Sequence, residues 1–178
     1  SNIFSHIYSG AYNQYNEEML NTDSNLYSFK SEICFLILDT RTILQNLFYF
    51  PYDVSESDRK EFVDNKVKEL STLINFFTEK SNSKLIVTNF VPPTHSPYGI
   101  FESKTDYGLQ EMIIDFNQKL LTEFKNNPLV FIFDFNGFVT NFGQKNIFDY
   151  RQYYLGDVRI SLEKIPYLSN HLMGFIKP

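Results

Sequence analysis

The 178-residue sequence has a single cysteine, no tryptophan, three histidines and no long apolar run. A lone cysteine excludes an internal disulfide, and the place of Cys34 in the apolar run Cys34–Leu38 predicts a buried thiol. Such a thiol suits a reducing cytoplasm, which is the location we expect. Apolar runs such as Leu129–Phe133 fall far short of the roughly 20 residues that cross a membrane, so we expect no membrane partner.

The sequence also lacks an excess of positive charge, because its formal net charge is −5. No stripe rich in lysine and arginine is visible, which argues against binding to the phosphates of nucleic acids. A glycine-rich phosphate loop is missing, as is any cluster of histidine, cysteine and aspartate at metal-ligand spacing. We therefore expect neither a cofactor nor a metal in this chain.

What the sequence does contain is apolar mass, with 43% hydrophobic residues, 19 Phe and 12 Tyr. This composition is typical of a globular protein, and the length suits one domain over residues 1–178. Ser1 is not a methionine and leads directly into apolar sequence, so we expect the chain to belong to a longer protein.

Predicted strands and helices alternate along the chain. The strands are short apolar or β-branched runs, predicted at Ile3–Tyr8, Ile33–Leu38, Lys84–Asn89 and Leu129–Phe133. The helices are predicted at Asn13–Leu20, from the capping sequence Ser55–Asp58 through Phe77, at Asp106–Phe124, and from Ser161 onward. Gly143–Ile160 shows little periodicity and is predicted to be an irregular loop, which in a compact domain is often functional.

This alternation predicts an α/β fold with three layers, α/β/α, around a mostly parallel, flavodoxin-like sheet. Ligands of such sheets bind beyond the carboxyl ends of the strands. The residues at those ends are Gly10, Asp39, Arg41, Asn89 and Asp134, and we expect them to line one edge. Asp39 and Arg41 have two interpretations: a polar cluster around a ligand, or a cap of the following turn by Asp39, with which Arg41 pairs.

Two of these strand ends resemble conserved blocks of SGNH hydrolases. Tyr8–Tyr12 stands where that family has its second-block glycine, at Gly10, and Phe35–Arg41 stands where its third block belongs. By position, Asp39 is near the glycine of that block and Arg41 near its asparagine. The resemblance implies an SGNH-like fold and makes Gly10, Asp39 and Arg41 the positions to consider for catalysis.

The sequence more closely resembles the N-terminal domain of FkbH-like proteins. Leu20–Tyr27 is similar to that family's "LxxxDSxLY" segment, and Asn146–Tyr154 to its "wFDxRxwY" segment. Pro178 stands where those proteins pass into a catalytic domain of the HAD superfamily. FkbH-like proteins are associated with moving a glyceryl unit from a phosphoglycerate donor to an acyl carrier protein, in polyketide and related pathways. The resemblance thus implies a recognition domain whose partners are a HAD catalytic domain and an acyl carrier protein.

The sequence departs from a working SGNH hydrolase at two blocks. No Gly-Asp-Ser block precedes Gly10, so the first strand either lies upstream or is absent from a rearranged sheet. Gly156–Val158 comes late and has valine in place of the nucleophile. No histidine stands near Ile160 to accept a proton from a serine. These departures predict that the chain does not catalyse a reaction on its own.

Two further segments contain residues that can be interpreted as functional or as structural. Asp134–Phe138 superficially resembles a HAD nucleophile strand, but Asn136 replaces the second aspartate, so we interpret it as the last strand and its turn. Asp149 and Arg151 flank a tyrosine in the irregular segment. They either latch this loop to the body or contact a phosphate or carboxylate, which a guanidinium can bind in a bidentate manner.

Three hypotheses for the function follow. The first is an accessory domain of an FkbH-like protein. The second is an SGNH-type esterase or acyltransferase whose serine block lies upstream. The third is a stand-alone protein-interaction module. The sequence leaves the acyl group, the pathway product and the oligomeric state open.

Overall fold

The computed structural model describes residues 6–94 and 96–176. Nine α-helices lie in these residues: α1 Tyr15–Leu20, α2 Asn25–Phe29, α3 Thr40–Leu44, α4 Glu56–Lys80, α5 Leu109–Phe124, α6 Phe135–Phe142, α7 Gln144–Ile147, α8 Tyr150–Gly156 and α9 Ile165–Ile176. Three strands accompany them: β1 Ile33–Leu36, β2 Lys84–Thr88 and β3 Val130–Phe133. Short 3-10 turns occupy Gln45–Phe48, Pro51–Asp53, Gly99–Lys104 and Leu162–Lys164.

The three strands form one parallel sheet in the order β1-β2-β3. Ile33 stands opposite Lys84, and Leu85 stands opposite Val130. Successive residues of a strand point to opposite faces of the sheet. Helices cover both of these faces. The α/β class with three layers and a parallel, flavodoxin-like sheet is confirmed.

Each face of the sheet has its own core. Leu85 and Val87 of β2 pack with α4 and α5, whereas Ile86 between them packs with α6 and α9. The larger core on the α4–α5 side contains Phe77, Phe116 and Leu120, all at most 1% exposed. The smaller core contains Phe133, Phe138, Val139 and Leu168. The sheet is thus enclosed between two apolar layers, which leaves its carboxyl edge as the place for polar groups.

The two long helices begin where the sequence predicts. Ser55 accepts a hydrogen bond from the backbone N–H of Asp58, and the Asp58 carboxylate accepts one from the backbone N–H of Ser55. This reciprocal capping box satisfies two amides that a helix start leaves unpaired. Helix α5 begins three residues later than predicted, at Leu109, because Tyr107 adopts a left-handed conformation with φ 52° and cannot join the helix.

Two expectations about the ends of the chain need correction. Half of the strand predicted at Ile3–Tyr8 lies outside the described residues, and its described half, residues 6–8, does not form a strand. The last helix begins at Ile165 rather than at Ser161, because a 3-10 turn over Leu162–Lys164 precedes it.

The prediction of an irregular loop over Gly143–Ile160 was wrong, because α7 and α8 lie within it. These helices have four and seven residues, too few for a helical period to show in sequence. The interpretation of Asp134–Phe138 as a strand and its turn was also wrong beyond the aspartate. Asp134 accepts a hydrogen bond from the backbone N–H of Gly137 and caps helix α6, which starts at Phe135.

Cys34 lies in β1 against the larger core. Burial raises the pKa of its thiol to about 11. Because the thiolate is the nucleophile, alkylation of Cys34 by iodoacetamide at pH 8 should be at least about tenfold slower than that of free cysteine. The rate, followed by mass spectrometry, should rise to that of free cysteine in urea. Equal rates in the folded and unfolded protein would contradict this expectation.

Within residues 6–94 and 96–176, no helix has both the length and the apolar character needed to cross a membrane.

Candidate functional site

A cleft opens at the carboxyl edge of the sheet, where chain segments leaving β1 and β2 meet the segment that contains α7 and α8. It encloses about 60 Å³, space for a few water molecules before any side chain moves. The residues that line it come from three parts of the sequence: Ile37, Leu38, Asp39, Thr40, Phe48, Asn89, Val91, Pro93, Phe135, Gln144, Phe148, Tyr150, Tyr153, Arg159 and Ile160. Most of this lining is apolar, so the few polar side chains define the chemistry of the cleft.

Asp39 stands at the polar end of the cleft, directly after β1. One carboxylate oxygen, Oδ1, accepts a hydrogen bond of 2.8 Å from the backbone N–H of Thr42 and thereby caps α3. The other, Oδ2, accepts a hydrogen bond of 2.8 Å from the hydroxyl of Tyr153. The carboxylate therefore joins β1 to α8, which lies 114 residues further along the chain.

Tyr153 is 6% exposed. Burial, and then the neighbouring Asp39 carboxylate, raise the pKa of the Tyr153 phenol well above its usual value. The phenol consequently stays protonated at neutral pH and donates its hydrogen bond to Asp39. A phenol held in this way is a poor general base, because it has no negative charge with which to take a proton.

Arg41 does not pair with Asp39, contrary to the pairing considered for it. Its guanidinium forms an ion pair with Asp157 and lies over the ring of Tyr153, 4.4 Å from the ring centroid. Nη1 of Arg41 also donates a hydrogen bond of 3.3 Å to the backbone oxygen of Tyr153. These contacts hold α8 and the turn after it against the end of β1.

Arg159 completes the polar cluster. Its Nε lies 3.5 Å from Asp39 Oδ2, and its Nη2 lies 3.5 Å from Asp157 Oδ2. Nη2 also donates a hydrogen bond of 3.3 Å to the hydroxyl of Tyr12. Two carboxylates, of Asp39 and Asp157, are thus balanced by two guanidinium groups, of Arg41 and Arg159.

Asn89 follows β2 and is bound on both sides by the segment after β3. Its Nδ2 donates a hydrogen bond of 2.7 Å to Asp134 Oδ1, and its Oδ1 accepts one of 2.8 Å from the backbone N–H of Asn136. Both ends of the amide are therefore engaged in positioning α6. Asn89 lines the cleft as a structural member, with one N–H of its amide left over.

The other three sequence candidates lie apart from this cluster. Gly10 is exposed, and the nearest side chain to it is Glu18, outside the cleft lining. Asp149 accepts hydrogen bonds from the backbone N–H groups of Arg151 and Gln152, at 3.0 and 3.2 Å, and so caps α8. The Arg151 side chain is exposed. The structure thus brings together Asp39, Arg41 and Asn89, and it separates them from Gly10, Asp149 and Arg151.

Three members of the cluster escaped the sequence reasoning as site residues: Tyr153, Asp157 and Arg159. Tyr153 lies within the segment that resembles the "wFDxRxwY" motif, and Asp157 and Arg159 follow it, but the motif drew attention to Asp149 and Arg151 instead. Asp157 was considered only as part of an unsuitable Gly-Asp-Val block. The density of aromatic and charged residues over 148–159 was the available signal, since such residues seldom accumulate in a solvent-exposed linker.

The Tyr153 hydroxyl can be tested without removing its ring. Replacing Tyr153 by phenylalanine should lower the free energy of unfolding by about 1–2 kcal/mol, because the buried Asp39 oxygen loses its donor. Urea denaturation measures the change. Tyr154→Phe is the matched control, since that ring is 43% exposed, and its loss should stay within about 0.5 kcal/mol. Equal losses in the two variants would show that the Asp39 contact contributes nothing.

The hydroxyl groups that line the cleft are all used within the protein. Thr40 Oγ1 donates to the backbone oxygen of Val91 at 2.8 Å, Tyr150 donates to Gln144 Oε1 at 3.2 Å, and Tyr153 donates to Asp39. Neither serine nor histidine is among the described residues of the lining. In the described part of the chain, no group of three or more histidine, cysteine, aspartate or glutamate residues is arranged to hold a metal ion.

Comparison with known proteins gives one family and one similar structure. The family described as "FkbH, N-terminal domain" matches residues 1–177. No curated protein matches the chain significantly. A solved structure with similar architecture is the N-terminal part of the protein BF1531 from Bacteroides fragilis, which contains a phosphatase domain and was crystallised with Mg. It has 17% sequence identity and a TM-score of 0.77, over 94% of this chain and 43% of that one. The chain thus spans less than half of the BF1531 structure, and the low identity makes this a likeness of fold.

Proposed function

The chain belongs to the FkbH N-terminal domain family, and from this membership we propose that it is the accessory recognition domain of an FkbH-like protein. In this proposal the domain contacts an acyl carrier protein and presents it to a HAD catalytic domain outside this chain. The catalytic domain transfers the glyceryl unit. The observation that carries the proposal is the family match over residues 1–177.

Two features of the molecule support an accessory role. The polar side chains at the edge of the sheet are paired with one another, as in Tyr153–Asp39 and Arg41–Asp157. These pairs hold the side chains in place, so the edge is a surface of fixed shape. The structurally similar BF1531 fragment contains a phosphatase domain, and this chain covers 43% of that fragment. A domain of that kind is a suitable neighbour for a recognition domain.

The proposal is tested by glyceryl loading of the carrier protein, measured by mass spectrometry with the full-length protein. Disrupting the edge by Arg41→Ala together with Tyr153→Phe should raise the KM for the carrier protein at least about fivefold and leave kcat nearly unchanged, because only binding is impaired. Lys84→Ala is the control, since Lys84 is exposed at the opposite end of β2. A fall in kcat at unchanged KM would overturn the accessory role and assign chemistry to this edge.

The position of the cleft favours one second candidate, an SGNH-type esterase or acyltransferase. The cleft lies beyond the carboxyl ends of the strands, which is where such a sheet binds its substrates. The paired hydroxyl groups of its lining weigh against this function. We therefore expect no turnover of p-nitrophenyl acetate or butanoate above the rate in buffer, with the full-length protein or with its Asp39→Ala, Arg41→Ala variant. Turnover that disappears in the folded variant would instead establish an active site at this edge.

A further inference from the structure

One polar atom of a residue that lines the cleft has no hydrogen-bond partner. Nε of Arg159 is buried and makes no hydrogen bond to any described residue. The Asp39 Oδ2 atom with which it forms an ion pair is 3.5 Å away and already accepts the hydrogen bond from Tyr153. A buried donor without a partner costs free energy. A ligand with a suitable acceptor recovers this free energy once a small turn of the guanidinium opens Nε to the cleft.

The charges around Arg159 favour a neutral acceptor. Asp39 and Asp157 carry two negative charges, and Arg41 and Arg159 carry two positive ones. Three successive ion pairs link these four side chains. The positive charge of Arg159 is therefore already balanced. An anionic ligand would add an uncompensated negative charge next to Asp39, whereas a carbonyl oxygen of an ester or thioester would accept from Nε without adding charge.

The rest of the lining favours an apolar body for the same ligand. Apolar side chains form most of the wall: Ile37, Leu38, Phe48, Val91, Pro93, Phe135, Phe148 and Ile160. The remaining polar side chains of the wall offer few free groups. Asn89 has one N–H left over, whereas Gln144 Nε2 donates to the backbone oxygen of Pro92 at 2.7 Å, and Gln144 Oε1 accepts from Tyr150. A ligand with several hydroxyl groups would leave most of them without partners in this wall, which is unfavourable.

We propose that the cleft binds a short apolar acyl group, and that Nε of Arg159 donates a hydrogen bond to its neutral carbonyl oxygen. This inference rests on the proposed function in one respect: the carrier protein that the domain contacts is of a kind that bears acyl groups as thioesters. It also assigns the cleft a ligand that differs from the polar glyceryl unit. The cleft binds this acyl group without cleaving it, since the hydroxyl groups of the wall are occupied.

Four small probes separate the parts of this proposal. Methyl butanoate and butyl methyl ether have the same chain of atoms and differ in the carbonyl oxygen. Butanoate adds a negative charge, and methyl 2,3-dihydroxypropanoate replaces the apolar body by a polar one. Binding to the full-length protein is measured by NMR titration. We expect methyl butanoate to bind about fivefold or more tightly than each of the other three, since one hydrogen bond accounts for a factor of this size.

Two variants locate the interaction. Arg159→Met removes the donor and keeps an apolar side chain of similar length, so the ester should lose its advantage over the ether. Arg151→Met is the matched control, because Arg151 is exposed and does not line the cleft, and it should keep the advantage. Ile37→Trp enlarges a side chain that is 44% exposed in the cleft wall, so it should weaken binding of the ester without overpacking a core. Thermal melts show that each variant is folded.

Several results would overturn the inference. They are equal binding of ester and ether to the unchanged protein, tighter binding of the dihydroxy ester or of butanoate, an ester advantage that survives Arg159→Met, and failure of methyl butanoate to bind at its solubility limit. The carrier-loading experiment separates this failure from that of the proposed function. Loss of probe binding while the KM for the carrier protein still depends on Arg41 and Tyr153 would remove the acyl ligand and leave the recognition role intact.

Discussion

Replacing Phe116 by alanine should lower the free energy of unfolding by about 4 kcal/mol, in the range found for buried phenylalanine. Phe116 is fully buried in α5. Its ring packs edge-on against that of Phe90, with the centroids 5.0 Å apart and the planes at 85°. The substitution removes this aromatic contact and leaves a cavity under the sheet that the two long helices cannot close, because each is held by its other buried residues.

Urea denaturation followed by circular dichroism measures this loss, and Ile114→Ala is its control. Ile114 lies in the same helix but is 59% exposed, so its replacement should change the free energy of unfolding by less than about 0.5 kcal/mol. A loss below about 2 kcal/mol for Phe116→Ala would mean that the larger core is not close-packed at this position.

The second large effect concerns a buried arginine far from the cleft. Arg59 in α4 is 5% exposed. It donates hydrogen bonds to the backbone oxygens of Val54, Asp106 and Tyr107 at 2.7, 2.8 and 3.0 Å. Arg59→Met keeps an apolar side chain but leaves three carbonyl groups without this donor. We expect the free energy of unfolding to fall by about 3 kcal/mol, because hydrogen bonds to a charged group contribute about 1.5–3 kcal/mol each and water can replace part of them.

The neighbouring Lys60 supplies the comparison for Arg59. Its ammonium group is exposed and pairs with Glu56 one helical turn earlier. Exposed pairs of this kind contribute little, so Lys60→Met should cost less than about 0.5 kcal/mol in the same urea experiment. Similar losses for the two variants would show that Arg59 does not hold the segment before α5.

The sequence predicts those parts of the fold that depend on neighbouring residues. The capping box at Ser55 and Asp58, the apolar period of α5 and the three apolar strands are local patterns, and the structure confirms each of them. Helix α8 was missed because seven residues hold too few turns for a period, and because its aromatic residues are not strong helix formers. Its start is set by the side chain of Asp149, which accepts from two backbone amides.

The sequence predicts where the candidate site lies, but not which of its residues contact one another. The rule for parallel sheets correctly locates Asp39 and Asn89 at one edge. It cannot reveal that Arg41 pairs with Asp157, because 116 residues separate the two and nothing in either neighbourhood specifies the other. Arg159 was missed for the same reason. Contacts between distant segments arise from the way the helices pack on the sheet, which single-residue patterns do not encode.

Local unfolding is easier at helix α9 than at helix α5, because α9 buries fewer side chains. Leu168 is its one buried side chain, with Leu172 and Phe175 partly buried beside it, whereas α5 buries six side chains. Amide hydrogen exchange should therefore be faster for α9 than for α5, through a local opening that leaves the sheet intact, while α5 exchanges only when the whole domain unfolds. Arg159 lies six residues before α9. The polar end of the cleft thus adjoins a helix that separates more easily from the body than α5 does, which provides a route for a ligand to enter without disturbing the larger core.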